Sequence, residues 1–229
     1  MTLKYHGTPF TPWAAFHQAF PGRMACVSWY RPDQIKTVAE VCSAFLLDNG
    51  AFSHHTKGTD PDWPGYYAWT EKWMAYPNAT AIVPDVIVGG EEENDALAAQ
   101  WPHDLRRSLI VWHLHESIQR LQRIVEKHGQ VAFGSSAQYW QIGSPAWHRR
   151  IHEALDAVHQ DQPRIHMLRG LQTIKWGLPW YSVDSASVAL HHSEKKNPLE
   201  MMAGWDAIQC PPWRDWSNQQ QDLFGEHTA

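Results

Sequence analysis

Cysteine is scarce in this chain, and what there is falls in no useful pattern. Cys26, Cys42 and Cys210 are an odd number among 229 residues, widely spaced and without a Cys-x-x-Cys pair. That argues against a disulfide scaffold and against a cysteine-based zinc site, and it fits a reducing compartment. A positive excess is missing too: 19 Lys and Arg stand against 24 Asp and Glu, a formal net charge of -5 with His neutral. No global basic field announces nucleic acid, so any such contact has to be local, although 15 histidines add charge in mildly acidic conditions. No apolar run approaches the about 20 residues that a membrane span requires, and the opening Met1-Thr2-Leu3-Lys4-Tyr5-His6 has no apolar signal core. The expectation is a soluble, cytoplasmic protein, in the host cytoplasm if a virus encodes it. There is no internal repeat and no low-complexity linker, and 43% hydrophobic content suffices for one large core. Tryptophan, by contrast, is abundant: 14 residues exceed what such a core requires, so some are expected to line a groove or a stacking surface.

The stretch Ala44-Phe45-Leu46-Leu47-Asp48-Asn49-Gly50-Ala51-Phe52 organises the reading. An apolar run suited to a buried strand stops at a carboxylate, and Asn49-Gly50 allows a sharp exit that aims the side chain into a pocket. Trp180-Tyr181-Ser182-Val183-Asp184-Ser185 ends in the same way. Strands are also read at Leu3–His6, Met24–Trp29, Ala79–Val83, Leu109–His113, Val131–Gly134 and Arg164–Leu168. Helices fill most gaps: Trp13–Phe20, one capped by Asp33, an aromatic one through Tyr66, Trp69, Trp73 and Tyr76, one opened by Glu91-Glu92-Glu93, one capped by Ser117, and one started by Ser144-Pro145. His54 to Pro64 reads as a loop, and the tail 191–229 as irregular. Eight strands mostly separated by helices predict an α/β fold, a compact (β/α)8 TIM barrel over about 3–190.

Residues just past the strands of such a barrel share one face. Here they are Asp48, Asp85, His113, His115, Gly134, His166 and Asp184. Together with their neighbours these resemble the tRNA-guanine transglycosylase superfamily, most closely its branch that inserts 7-deazaguanine bases into DNA. The DSGGF-like motif of that family stands here as Asp48-Asn49-Gly50-Ala51-Phe52, its base-recognising aspartate as Pro84-Asp85, its Gly-rich strand end as Phe133-Gly134-Ser135 and its nucleophile strand as Ser182-Val183-Asp184-Ser185. The resemblance implies Asp184 as nucleophile, Asp48 as general acid and base, and a base pocket of Asp85, Gly134, Ser135, His113 and Phe52. It also implies guanine and 7-cyano-7-deazaguanine-type bases as partners. The family's cysteine-rich zinc motif is missing, its fifth-strand Gln-Gly is replaced by His113-Leu114-His115, and the chain is much shorter than the tRNA enzymes. DNA is therefore the expected substrate, with tRNA the alternative, and no cofactor is expected. Zinc lacks the support of a Cys motif.

The residue types suit that chemistry. Exchanging a nucleobase takes a nucleophile at the sugar carbon and a second carboxyl group to manage the proton on each base. Arg106, Arg107, Lys195 and Lys196 are the basic groups expected near the active face to hold phosphates; His148-Arg149-Arg150 is a further basic run. A second reading is a metal-dependent barrel hydrolase, since His113 and His115 point the same way on a strand and His166 and Asp184 can join them. His191-His192 with Cys210 is a further conceivable zinc set. A third reading, a barrel that binds nucleic acid without reacting, gives the two aspartates no task.

Overall fold

The computed structural model describes residues 1–193 and 195–216. Strands and helices alternate: β1 (Leu3–Gly7), α1 (Trp13–Ala19), β2 (Met24–Ser28), α2 (Ile35–Val41), β3 (Ala44–Asp48), α3 (Ala51–Lys57), α4 (Trp63–Trp73), β4 (Ala79–Ile82) and α5 (Glu91–Ala99). Then follow β5 (Ser108–Leu109), β6 (Val111–His113), α6 (Ile118–His128), β7 (Gln130–Gly134), α7 (Pro145–Val158), β8 (Arg164–Met167), β9 (Ser182–Ser185), α8 (Ser187–His191) and α9 (Pro198–Asp206). The strands pair in parallel in the spatial order β5-β4-β3-β2-β1-β9-β8-β7-β6. The sheet curls into a nearly closed, single-domain TIM-like barrel.

Among the described residues, nine strand segments occupy eight barrel positions, because β5 and β6 are halves of one strand. Leu109 and Val111 pack with Tyr5, Cys26, Leu46, Ile82 and Ala132 inside the barrel, while Ile110 and Trp112 belong to the outer core under the helices. That two-residue alternation runs unbroken through Ile110. The first half pairs with β4 and the second with β7, and the Ile110 carbonyl accepts from Ala132 N–H at 2.9 Å. Small interior side chains such as Cys26, Ala132 and Ser182 let so short a barrel close without crowding its axis.

Helix caps hold where the sequence reading placed them at Ser117 and Ser144, whose side chains accept from Arg120 N–H and Trp147 N–H. Asp33 caps nothing; the helix starts after Gln34, and Asp33 pairs instead with Arg31 at 3.0 Å. The segment read as a loop from His54 opens inside α3, which Gly50 and Gly58, both at positive φ, start and stop. Asp62 then caps α4 through Gly65 N–H. The stretch after 191, read as irregular, carries α9, which packs on β1 and α1. Asn197 caps it and Asp206 at its end binds His6 and Arg23. Residues beyond 216 lie outside the described part. Among the described residues, no helix is long and apolar enough to cross a membrane.

Candidate active site

The alternation that builds the core also selects the site. Each inward-facing run ends, at the carboxyl end of its strand, in a residue of different chemistry: Asp48 follows Leu46, His113 follows Val111, Gly134 follows Ala132, and Asp184 follows Ser182. All four, with Asp85, Ser135, Phe52 and Arg169, line one cavity of about 570 Å³. That volume lies in the range of a small-ligand site.

Asp48 accepts from Gly50 N–H at 3.2 Å. Burial pushes its carboxyl up to about 6, and the charges of Asp184 and Asp85 push in the same direction; the Ser28 hydroxyl and Gly50 N–H oppose them. A carboxyl near 6 can donate and recover a proton around neutral pH. Asp184 Oδ1 accepts from the backbone N–H of Arg169 at 2.8 Å and lies 3.3 Å from His166 Nε2. His166 is fully buried and its Nδ1 meets Ser182 Oγ at 2.9 Å. No hydrogen bond engages Asp184 Oδ2 among the described residues, which leaves that oxygen available to the cavity.

Asp85 sits in the loop after β4, 6% exposed, with both oxygens engaged: Asn49 Nδ2 donates to Oδ1 at 2.6 Å and His113 Nε2 meets Oδ2 at 2.8 Å. Asn49 also donates to the Val83 carbonyl and accepts from Ala51 N–H, so one side chain ties the ends of β3 and β4 to the start of α3. Tyr66 reinforces the same junction by donating to the carbonyls of Leu47 and Ile82. His113 is fixed through its main chain as well, since its N–H donates to Glu116 Oε2 at 2.8 Å. Glu116 in turn pairs with Arg120 at 2.6 Å, both side chains 1% exposed. Gly134 is required by this packing, because a Cβ there would fall 2.7 Å from His113 Nδ1. The Ser135 hydroxyl accepts from Trp147 Nε1 at 2.9 Å, so Ser135 faces the cavity with its hydroxyl already engaged.

Phe52 is 44% exposed and lies under the guanidinium of Arg169, 4.0 Å from ring centroid to Cζ. Among the described residues, Tyr30 is the other aromatic of the lining, and no tryptophan contributes. The expected tryptophan groove is thus not at this cavity; Trp112, Trp147 and Trp73 fill the core under the helices.

Several expected positions lie elsewhere. Arg106 and Arg107 were expected beside the cavity, but they precede β5 and so stand at the opposite end of the barrel. Arg106 is paired with Asp104, and Arg107 donates to the carbonyls of Met74, Tyr76 and Ala79. Lys195 and Lys196 are exposed in the turn between α8 and α9, outside the lining. Arg150 of the basic run donates to the carbonyls of Leu114 and Glu116 and so supports the His113 loop from behind. The set His113, His115, His166 and Asp184 does not gather: His113 turns to Asp85, His115 to Ser136, and His166 to Ser182 and Asp184. His191, His192 and Cys210 are likewise apart, with His192 bound to the Thr11 carbonyl and stacked on Phe10. Among the described residues no three His, Cys, Asp or Glu side chains are grouped to hold a metal ion.

Two members of the site escaped the sequence reading. In the sequence Asn49 reads as part of a turn, and its partnership with Asp85 is visible only in three dimensions. Arg169 lies two residues past the end of β8, close to the strand-end positions of the other candidates, so the sequence does carry a signal for it. Compared with family models, curated proteins and solved structures, the chain matches none. A TIM-like barrel with a paired-carboxylate cavity at the carboxyl ends of its strands is the class that fold and site define.

Proposed function

We propose that this barrel is a nucleobase transglycosylase, exchanging guanine in DNA for a 7-deazaguanine base through a covalent bond to Asp184. One observation carries the reading: a single cavity receives two strand-end carboxyl groups in different settings. Asp48 is held near 6 by burial, while Asp184 has one oxygen fixed by Arg169 N–H and one oxygen free. In the first half-reaction Asp184 Oδ2 attacks C1′ of the target nucleotide. The C1′–N9 bond breaks as the C1′–O bond forms, and Asp48 gives its proton to the leaving guanine. In the second, Asp48 takes the N9 proton of the incoming base. The new C1′–N9 bond then displaces the carboxylate and restores both side chains.

The rest of the cavity supports a flat, hydrogen-bonding guest. Asp85, held by Asn49 and His113, keeps unused lone pairs for purine N–H groups. Phe52 and Tyr30 offer faces for a base flipped out of a duplex. The test is exchange of labelled guanine and of 7-cyano-7-deazaguanine on a DNA duplex, single-stranded DNA and a tRNA transcript at one salt concentration. Exchange on DNA is expected. Exchange confined to tRNA would move the substrate to the other branch, and exchange on none would remove the reading.

A further inference from the structure

Arg169 carries more geometry than the proposed exchange has used. It is one of three non-glycine residues at positive φ among the described residues, at +55°. That conformation costs an ordinary side chain of order 1 kcal/mol, and here its N–H donation to Asp184 holds it in place. Its side chain reaches across the cavity from the end of β8 to Phe52 at the start of α3. Of the two arginines in the lining, Arg31 is paired with Asp33, whereas the Arg169 guanidinium has no carboxylate partner among the described residues. Its one hydrogen bond is a long one, from Nη2 to the Ser135 carbonyl at 3.3 Å. Among the described residues, Nε and Nη1 have none. A largely desolvated guanidinium fork, stacked on an aromatic face and short of acceptors, is built to receive a planar or tetrahedral oxyanion in bidentate fashion.

Its position says which one. The same residue's N–H is bound to the carboxylate that would take C1′, so its side chain starts one sugar away from the reacting carbon. The guanine edge, by contrast, is assigned to Asp85, which Asn49 and His113 hold at the ends of β3 and β4. Resting on the transglycosylase reading, we propose that Arg169 binds the backbone phosphate next to the target nucleotide, leaving Phe52 to release its face to the base. Arg169 would then be a substrate-binding residue that positions C1′ against Asp184, and it replaces Arg106 and Arg107 as the phosphate contact.

The experiment measures binding of a guanine-containing DNA oligonucleotide to Asp184→Asn protein, whose amide oxygen can still accept from Arg169 N–H, with and without Arg169→Gln, between 50 and 200 mM salt. A parallel oligonucleotide carries a neutral methylphosphonate at each phosphate in turn. Losing one phosphate contact should lower affinity about tenfold at the low-salt end and reduce the slope of log K against log salt by about 0.7–0.9. One methylphosphonate position should then weaken the parent and not the Arg169→Gln protein. Arg169→Lys should recover the salt slope but only part of the affinity, since the fork is lost. Retained thermal midpoints establish that the variants fold. Equal slopes for parent and Arg169→Gln, or a change only in which base is preferred, overturns the phosphate assignment while leaving the exchange reading intact. An oligonucleotide that does not bind even the parent overturns both.

Discussion

Gly134 stands where its missing Cβ would lie 2.7 Å from His113 Nδ1 and 3.2 Å from Val111 Cγ1. The glycine at this strand end therefore makes room for a histidine, whose other nitrogen holds Asp85 at 2.8 Å. Gly134→Ala should push the imidazole off the carboxylate and release Asp85 from its fixed orientation. The expected result is a base-binding defect of tenfold or more in KM for guanine, with kcat less affected. Steady-state kinetics with varied guanine measures the split. Unchanged KM would show that the His113–Asp85 pair does not organise base recognition.

Asp48 links pH to both activity and stability. A carboxyl raised from 3.8 to about 6 holds its proton longer in the folded state than in the unfolded chain. Its contribution to stability is thus fully present below the unfolded value and is lost as pH rises from about 4 through about 6. At neutral pH the ionised, buried form costs roughly 3 kcal/mol. Asp48→Asn should therefore raise the thermal midpoint at pH 7.5 and bring little gain at pH 4, while abolishing exchange. Wild-type exchange should show an inflection near pH 6. A midpoint gain equal at both pH values would contradict the buried, raised carboxyl.

The buried Glu116–Arg120 pair sets a stability prediction away from the chemistry. Glu116 accepts from His113 N–H and from Asn94 Nδ2 while neutralising Arg120, which also meets Asp95 at 2.8 Å. Removing one partner strands the other charge in a dry site, so Glu116→Ala should cost about 3–5 kcal/mol. Denaturant titration reads this, and a loss under 1 kcal/mol would mean that water or Asp95 alone suffices for Arg120. The same variant should loosen the His113 loop and raise KM for guanine.

The fold was legible because the barrel repeats one signal: short apolar runs ending in Asp, His or Gly, separated by amphipathic helices. Even the break at Ile110 preserves that signal, so one strand was the right reading of two segments. The paired aspartates followed from strand-end position alone. What stayed hidden was partnership. Asn49 looks like a turn residue until β4 brings Asp85 beside it, and α3 was obscured by His, Thr and Gly, whose helix-breaking reputation the Gly50 and Gly58 caps override locally. Arg106 and Arg107 were misplaced for a simpler reason: a residue before a strand lies at the far rim from one after it. Arg169 stands just past the strand read at Arg164–Leu168, so its position is legible in the sequence, whereas its contacts with Phe52 and Asp184 appear only in the fold.

The central claim is that the Asp184 carboxylate bonds to the sugar. Wild-type protein and Asp184→Ala should each be incubated with a guanine-containing DNA oligonucleotide, quenched in acid and analysed by intact mass, with the adduct mapped by peptide. An adduct of the strand less guanine should be found on the peptide bearing Asp184 in the wild type, with neither adduct nor guanine exchange in Asp184→Ala. An adduct mapped to another residue, or exchange at the wild-type rate in Asp184→Ala, would contradict the account.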